Sequence, residues 1–421
     1  MNSALGATIG LVLAIVLIIR RVSPVYSLLL GAVVGGLAGG LGLNDTVANM
    51  ISGVKDITPA IIRIIAAGVL SGVLIKTGAA ASISNTIVNR LGHRHLFLAL
   101  ALSTMMLTAV GVFIDVAVIT VAPVAIIIAE RTGISRLKML LAMVGGGKCG
   151  NIISPNPNTI IAAENFDTPL SSVMLAGVVP AIIGLIVVVY LIVTLLPSFA
   201  NGTAATMATS KTAPDNSEGL PSFTASIAAP LTVIVLLMLR PVAGITIDPL
   251  LALPAGGVVG LIATRQWHNA TQSISYGLEK MSVVAVLLVS TGAIAGIVKA
   301  STLTDMLISL LGQGEASRLL LAPLSGILMS AATASTTAGA TIASASFAPS
   351  ILATGMSAVW GAALVNVGCT VLDHLPHGSF FHATGGSVEL GIKDCLRLIP
   401  YMTLIGLSLT ILSLGTYLII G

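Results

Sequence analysis

Apolar segments of about 20 residues recur along the whole chain, and no other feature restricts the fold as strongly. A helix needs about 20 residues to cross the hydrocarbon core of a bilayer, so each segment predicts a membrane-spanning helix. The predicted spans are residues 3–19, 24–43, 57–75, 139–163, 171–197, 225–240, 248–264, 280–300, 357–381 and 395–420. The sequence therefore predicts an all-α polytopic protein that is embedded in a lipid bilayer.

Composition excludes a soluble protein. Charged residues make up 8% and hydrophobic residues 56% of the 421 residues, whereas soluble domains carry roughly 25% charged residues. The first apolar run, residues 5–19, lacks the basic leader and cleavage site of a signal peptide, so we expect it to remain as a span. The net charge of +4 comes from loop lysines and arginines, which orient the chain in the membrane, and it gives no indication of a nucleic-acid partner.

One predicted span, residues 139–163, contains a run of helix-breaking residues. Residues 144–158 read Val-Gly-Gly-Gly-Lys-Cys-Gly-Asn-Ile-Ile-Ser-Pro-Asn-Pro-Asn. In a helix interior Gly costs about 1 kcal/mol and Pro about 3 kcal/mol relative to Ala. Irregular backbone inside a bilayer is tolerated only where protein or a water-filled cavity satisfies it. We therefore expect a helix broken near the membrane midplane, where secondary transporters bind their cargo.

Two further apolar stretches, residues 96–130 and 318–354, are too long for one span. The first is interrupted by Gly-Val-Phe-Ile-Asp at 111–115 and the second by Thr-Ala-Ser-Thr-Thr-Ala-Gly at 333–339. We interpret each stretch as a re-entrant helical hairpin whose tip is the interrupting segment. Two ordinary short spans are the alternative for each.

The chain divides into two similar halves, residues 1–197 and 222–421, around a polar interval at 198–221. Three glycines of the first half recur in the second at an offset of 224: Gly53, Gly68 and Gly72 match Gly277, Gly292 and Gly296. With both hairpins re-entrant, most loop Lys and Arg residues fall on one side of the membrane, which marks that side as cytoplasmic. The hairpins then enter from opposite sides, so we predict two inverted repeats joined by a cytoplasmic linker, 198–221.

Lys148 and Asp115 are charged residues that lie where the membrane interior is expected, and charges there are costly enough to suggest function. Lys148 lies among glycines that permit close approach of a ligand, and is a candidate to neutralise an anionic substrate. A snorkelling or ion-paired structural lysine is the alternative. Asp115, at the first hairpin tip, is a candidate to pair with Lys148, bind substrate or carry a coupling proton. The alternative for Asp115 is a helix N-cap.

Neutral polar side chains extend the candidate substrate site. Donors and acceptors suited to carboxylates and hydroxyls occur in the first broken helix and at the second hairpin tip: Asn151, Ser154, Asn156, Asn158, Thr159, Thr333, Ser335, Thr336 and Thr337. Turn and capping chemistry or hydrogen bonds between membrane helices are the alternatives for these residues.

The corresponding segment of the second half, residues 366–382, carries titratable groups. Asp373, His374 and His377 are candidates for the proton step, since histidine titrates near neutral pH. A metal site is not expected, because Pro376 between the two histidines argues against a regular pair of ligands on a helix. No cofactor is predicted.

An enzyme is not expected. An intramembrane hydrolase with Ser154 or Ser379 as nucleophile is a remote alternative, because neither residue lies in a nucleophile-elbow pattern. The chain also lacks a phosphate-binding loop. We therefore expect ion-coupled rather than ATP-driven transport.

Several segments, taken together, resemble one known family. They are Gly-Val-Phe-Ile-Asp-Val-Ala-Val-Ile-Thr-Val-Ala-Pro at 111–123 with Ala-Glu-Arg-Thr-Gly at 129–133, the Gly-rich run at 145–158, the Ser/Thr-rich tip at 330–349 and the segment 366–400. They resemble the gluconate permease family of proton-coupled carboxylate carriers, within the ion transporter superfamily. The resemblance implies a two-hairpin, inverted-repeat fold, elevator-type motion, a homodimer and a substrate or proton role for Asp115.

The sequence departs from the gluconate-type pattern at two places. Where that pattern has Pro-Pro-His-Pro-Gly-Pro, residues 154–159 read Ser-Pro-Asn-Pro-Asn-Thr, without a histidine. Where it has Asn-Asp-Ser-Gly-Phe-Trp, residues 376–381 read Pro-His-Gly-Ser-Phe-Phe. These differences indicate another small organic anion at least as readily as gluconate.

The sequence thus predicts a multi-pass inner-membrane transporter that carries a small organic carboxylate, such as a hydroxy acid, together with protons. The resemblance implies an elevator-type mechanism. Sodium-coupled carboxylate transport, or sodium/proton antiport, is the alternative, because carbonyl, amide and hydroxyl oxygens at both breaks can ligate a hard cation.

Overall fold

A computed structural model describes residues 3–92, 95–132, 134–192, 219–303, 315–376 and 378–421. Within these ranges helices and the turns between them account for the chain, and no β-strand occurs. Among the described residues, five helical stretches are long and apolar enough to cross a membrane: Leu43–Lys76, Leu170–Val189, Phe223–Ala243, Trp267–Lys299 and Ile392–Ile420. Shorter apolar helices accompany them. The predicted all-α polytopic fold is confirmed.

The described part of the first half contains ten α-helices. They are α1 Ala4–Ile19, α2 Pro24–Ala38, α3 Leu43–Lys76, α4 Ala79–Leu91, α5 Leu96–Ala109, α6 Ile114–Thr132, α7 Arg136–Asn151, α8 Pro157–Asn165, α9 Leu170–Ala176 and α10 Val178–Ile186. A π-helical segment, Val187–Ile192, continues α10.

The described part of the second half contains eight. They are α11 Phe223–Ala243, α12 Pro249–Ala263, α13 Ala270–Lys299, α14 Glu315–Thr333, α15 Thr336–Ala353, α16 Ala358–Gly368, α17 Ser379–Ser387 and α18 Ile392–Ile420.

The two longest helices, α3 and α13, pack against each other in antiparallel directions. Gly53 of α3 lies against Gly292 and Gly296, late in α13, whereas Gly68 lies against Gly277, early in α13. A methyl group on any of these glycines would collide with the opposite helix. The pairing therefore depends on small residues, as close association of membrane helices generally does.

The contacts between α3 and α13 repeat under the offset of 224 residues. The offset relates Gly53 to Gly277 and Gly68 to Gly292, so the Gly53–Gly292 contact maps onto the Gly277–Gly68 contact. A rotation that exchanges two antiparallel helices has its axis perpendicular to both. For helices that cross a membrane, that axis lies in the membrane plane, as inverted repeats require. The contacts support the predicted repeats, which stay a prediction.

The break in the first broken helix is shorter than the sequence predicts. α7 continues through its glycines to Asn151, and helical geometry is lost only at residues 152–156. Gly146 lies against the backbone of Ala101 in α5, and Gly150 lies against that of Met105. The expectation that these glycines break the helix is therefore wrong, because they allow α7 to pack closely on α5 and the contacts offset their low helix propensity.

Both predicted hairpin stretches are helix pairs with a central break. The first break, at 110–113, separates α5 from α6, and the second, at 334–335, separates α14 from α15. Gly111 and Ala334 take positive φ angles of 103° and 46° at these turns. A further break at 369–378 separates α16 from α17. Re-entry of each hairpin on one side of the membrane stays a prediction.

Several boundaries differ from the predicted spans. α3 begins at Leu43 instead of residue 57, and α13 begins at Ala270 instead of residue 280. The predicted span 171–197 is divided into α9, α10 and the π-helical segment, and α4 was not predicted. The polar residues of α4 and of the first turns of α3 and α13 hide these helices from a hydropathy argument. Of the predicted linker 198–221, only residues 219–221 lie within the described ranges.

Candidate functional site

Lys148 lies in the last turn of α7, and its side chain is 0% exposed. Its ammonium donates hydrogen bonds to the carbonyl of Thr370, to Asp373 Oδ1 at 2.7 Å and to His374 Nδ1 at 3.2 Å. All three partners belong to the break between α16 and α17. The contact therefore joins the broken helix of the first half to that of the second.

Asp373 is as deeply buried as its partner, at 1% exposure. While Oδ1 accepts from Lys148, Oδ2 accepts a hydrogen bond of 2.7 Å from the Thr336 hydroxyl. Thr336 is the first residue of α15, at the tip of the second hairpin. The last turn of α7, the break between α16 and α17 and one hairpin tip thus meet at this carboxylate.

His374 connects the same pair to α18. Its Nε2 lies 3.1 Å from the carbonyl of Ile399 and 3.1 Å from the hydroxyl of Thr403. A carbonyl only accepts, so we assign the proton of the neutral ring to Nε2. Nδ1 then carries a lone pair, which accepts from Lys148 and lies 3.1 Å from Asp373 Oδ1.

Three asparagines form the second part of the site, on both sides of the break between α7 and α8. Asn151 Oδ1 accepts from Asn156 Nδ2 at 2.6 Å and from Asn158 Nδ2 at 3.3 Å. Asn156 also caps α8, since its Oδ1 accepts from the backbone amide of Thr159 at 3.0 Å. Asn158 Oδ1 in turn accepts from the Thr337 hydroxyl at 2.6 Å. The second hairpin tip therefore contacts both broken helices.

Asn366 belongs to this cluster but was not among the predicted site residues. It lies in α16, and its Nδ2 donates to the Thr159 hydroxyl at 3.2 Å. The signal was present, because an asparagine within an otherwise apolar helix is costly to bury without a partner.

Three buried polar atoms of the two breaks have no hydrogen-bond partner among the described residues. They are Asn151 Nδ2, Ser154 Oγ and Asn366 Oδ1. A buried polar atom without a partner generally costs about 1–3 kcal/mol. Two donors and one acceptor thus stand ready for a polar ligand beside the Asn151–Asn156–Thr159–Asn366 chain of hydrogen bonds.

The remaining predicted residues contact the backbone or lie elsewhere. Thr333 donates to the carbonyls of Met329 and Ser335, and Ser335 caps α15 by accepting from the amide of Ala338. His377 lies outside the described residues. Groups of three His, Cys, Asp or Glu side chains that could hold a metal ion do not occur in the described ranges.

Asp115 lies in the first turn of α6, where its Oδ1 accepts from the amide of the next residue, Val116, at 2.9 Å. The ion pair of Lys148 is with Asp373, so the suggested Asp115–Lys148 pair does not form in this structure. The first hairpin still lies beside the site, because the Ile114 side chain contacts Gly147.

A second cluster of charges lies at the far end of α8 and was not predicted. Arg63 of α3 donates to Asp248 through Nε at 3.0 Å and Nη2 at 2.7 Å, and to Glu164 of α8 through Nη1. These residues line a cavity of about 330 Å³. An arginine inside an apolar segment was the signal for such a network.

Comparison with known proteins places the chain among transporters. Residues 3–255 match the family described as GntP family permease, and residues 224–313 match the Na+-H+ antiporter family. An uncharacterized transporter of Haemophilus influenzae is 51% identical over 98% of this chain and 97% of its own length. The high-affinity gluconate transporter of Escherichia coli is 23% identical over 80% of both chains.

Two solved structures share the fold. The YdaH transporter of Alcanivorax borkumensis has a TM-score of 0.66 at 17% identity, and the likeness covers 90% of this chain and 89% of that one. Neisseria gonorrhoeae MtrF, described within a class of antimetabolite efflux pumps, has a TM-score of 0.61 at 13% identity over 97% and 96% of the two chains.

Proposed function

The chain belongs to the GntP permease family, and we propose that it carries a small organic carboxylate in symport with protons. Membership makes it a multi-pass transporter of the bacterial inner membrane and not an enzyme. One observation carries the finer proposal. The fully buried Lys148, in the last turn of α7, is paired with Asp373 of the break between α16 and α17, and Asp373 also accepts a hydrogen bond from Thr336 at the second hairpin tip.

The site suits a small hydroxylated anion. Lys148 supplies the positive charge for a carboxylate, and an ammonium in a low-dielectric site attracts an anion far more strongly than in water. Asn151 Nδ2 and Ser154 Oγ offer donors, and Asn366 Oδ1 offers an acceptor, for hydroxyl groups of the same molecule. Lys148 and Asn151 are three residues apart in α7, so their side chains lie on one face of the helix. A molecule of a few carbon atoms spans that separation.

Asp373 and His374 carry the proton step in this proposal. Both are buried and both contact Lys148, so their protonation state and the binding of an anion affect each other. Asp115 is the second candidate, since the first hairpin contacts α7 next to Lys148. His377 was predicted for the same role but lies outside the described residues.

The proposal includes alternating access by an elevator-type movement, in a fold of inverted repeats with two re-entrant hairpins. The α3–α13 contacts that repeat under the 224-residue offset support the repeat. The bonds of Thr336 to Asp373 and of Thr337 to Asn158 support a gating role for the second hairpin, because they close that tip over the site. A homodimer is part of the same proposal.

Sodium coupling is the second candidate. It is favoured by the match of residues 224–313 to the Na+-H+ antiporter family. Amide and hydroxyl oxygens at Asn158, Thr337 and Asn366 are also of the kind that hard cations accept.

Uptake by proteoliposomes tests the proposal. The purified chain is reconstituted, an acid-outside pH gradient is imposed without sodium, and a panel of labelled hydroxy- and amino-carboxylates is offered. We expect uptake of one chemical group of carboxylates, which a protonophore abolishes. Uptake that requires sodium and is independent of the pH gradient would contradict proton coupling and favour sodium coupling.

Two lysine variants make the test specific. Lys148→Met is expected to reduce uptake to the level of empty liposomes. Lys299→Met is the matched control, because Lys299 pairs with Asp56 at 2.8 Å on the surface, with 70% of its side chain exposed. Native uptake by the Lys148→Met protein would contradict the role of Lys148 as the anion ligand.

A further inference from the structure

The ammonium group of Lys148 has no hydrogen left for a ligand. A lysine ammonium carries three N–H bonds, and those of Lys148 are directed at the Thr370 carbonyl, Asp373 Oδ1 and His374 Nδ1. A substrate carboxylate can therefore bind Lys148 only if one of these acceptors leaves. The Thr370 carbonyl is part of the backbone, so Asp373 and His374 are the two that can change.

Asp373 and His374 face each other without a proton between them. Oδ1 and Nδ1 are 3.1 Å apart, and both present lone pairs when the carboxyl is ionised and the ring is protonated at Nε2. A single proton on Oδ1 would convert this contact into an O–H···N hydrogen bond. That proton would neutralise the counter-ion of Lys148 and engage the lone pair of His374, so it would free two of the three N–H bonds at once.

We infer that the substrate carboxylate replaces Asp373 as the partner of Lys148, and that a proton binds Asp373 in the same step. Protonation of Asp373 releases the ammonium to the substrate, and departure of the substrate lets Asp373 return to Lys148 as its proton leaves. The inference rests on the proposed binding of a carboxylate to Lys148; it narrows the proton site to Oδ1 of Asp373 and adds a ratio of one proton to one carboxylate.

Electrostatics makes this exchange obligatory. Lys148 with ionised Asp373, and Lys148 with the substrate carboxylate and a protonated Asp373, each carry no net charge. If Asp373 and the substrate were both ionised, one negative charge would be left over, and if Asp373 were protonated without substrate, the charge of Lys148 would be left over. A buried charge without a partner is strongly unfavourable in a dry interior. Proton binding without substrate, and substrate binding without a proton, are both suppressed, and this is the condition for tight coupling.

Few other groups can take the proton. The elements around the pair present hydroxyl and amide groups from α8, α15 and α18, namely Asn158, Thr336 and Thr403. The other titratable side chains nearby in the described ranges are two buried thiols, one carboxylate at the start of α6 and one imidazole in α17: Cys149, Cys369, Asp115 and His382. None of these four side chains contacts Lys148 in the described structure, whereas Asp373 and His374 do.

Proton uptake by the native protein is the first test. Detergent-purified protein in weak buffer with a pH indicator is mixed with gluconate, lactate, glycerate and malate in turn, and bound carboxylate is measured in parallel. We expect about one proton to be taken up per carboxylate bound near pH 7, and affinity to fall about tenfold per pH unit as the pH rises. Binding without proton uptake would overturn the exchange but leave carboxylate binding intact.

Asp373→Asn is the second test. The variant cannot hold the exchanged proton, so we expect carboxylate binding that is independent of pH, no proton uptake and no accumulation driven by a pH gradient. Asp373→Glu is expected to restore the pH dependence. A native pH slope in a folded Asp373→Asn protein would assign the proton to another group and overturn the inference.

The two levels of the proposal fail differently. If no carboxylate of the panel binds the native chain between pH 5 and 8, the proposed function fails and the exchange fails with it. If a carboxylate binds but carries no proton, only the exchange fails. The measurement on the native protein decides the matter even if Asp373→Asn does not fold.

Discussion

The buried pair of Lys148 and Asp373 should couple far more strongly than an exposed pair of the same chemistry. The chain offers both: Lys148–Asp373 at 2.7 Å with 0% and 1% exposure, and Lys299–Asp56 at 2.8 Å with 70% and 54% exposure. Distance and residue type are thus matched, and the pairs differ in burial and in the hydrogen bonds that Thr370, His374 and Thr336 add to the buried one. The perturbation is a double-mutant cycle at each pair, with Lys→Met and Asp→Asn as single changes and in combination.

The magnitudes follow from solvation. Removing one partner of a buried pair leaves an uncompensated charge and typically costs about 3–5 kcal/mol, whereas replacing both partners by neutral residues is often close to neutral. The two single changes at Lys148 and Asp373 should therefore sum to about 6–10 kcal/mol, and the double change should cost about 2 kcal/mol or less. The coupling energy is then about 4 kcal/mol or more. Exposed pairs generally give about 0–1 kcal/mol, so the Lys299–Asp56 cycle should show almost no coupling.

Reversible unfolding in mixed detergent micelles, followed by circular dichroism, measures these free energies. Single variants that fail to accumulate while the double variant is well expressed would agree with the same reasoning. Additive losses at Lys148 and Asp373, with a double variant as unstable as the sum of the singles, would refute the account of a buried, mutually compensating pair. A coupling energy equal to that of the surface pair would refute it as well.

Two further predictions concern packing and capping. Gly146→Ala should destabilise the protein by about 1–3 kcal/mol or more in the same unfolding assay, because the added methyl collides with α5. Gly415→Ala is the control, since the space around that site is open, and it should be neutral or stabilising. Equal effects of the two changes would contradict the packing account. Ser335→Ala should cost about 1 kcal/mol through the lost cap of α15, and an unchanged unfolding free energy would exclude the cap.

The sequence predicted the helical class and the location of the breaks because both follow from local chemistry. Proline fixes its own backbone and restricts the residue before it, and the first broken helix does open around Pro155 and Pro157. The glycines before that break were misread. Gly146 lowers helix propensity by itself, but its effect in the fold is set by α5, a helix about 45 residues earlier in the sequence, and single-sequence propensity carries no information about that neighbour.

The candidate site was predicted in part for a similar reason. Lys148 and Asp373 could each be recognised as costly intramembrane charges, but their pairing depends on the way the two halves pack. Asp115 was an equally reasonable partner in the sequence, and only the fold brings Asp373 to Lys148. Arg63 was visible as a charge within an apolar segment, yet its partners lie 101 and 185 residues away. Residue type indicates that a partner must exist, while the fold decides which one.

Simultaneous recording of proton and carboxylate movement tests the central claim most directly. Proteoliposomes with a trapped pH indicator receive labelled carboxylate under an imposed pH gradient without sodium, for the native chain and for Lys148→Met. The account predicts that both fluxes appear together in the native protein, in a ratio near one to one, and that both disappear in the variant, with Lys299→Met behaving as native. Carboxylate entry without proton entry, or an unchanged flux in Lys148→Met, would contradict it.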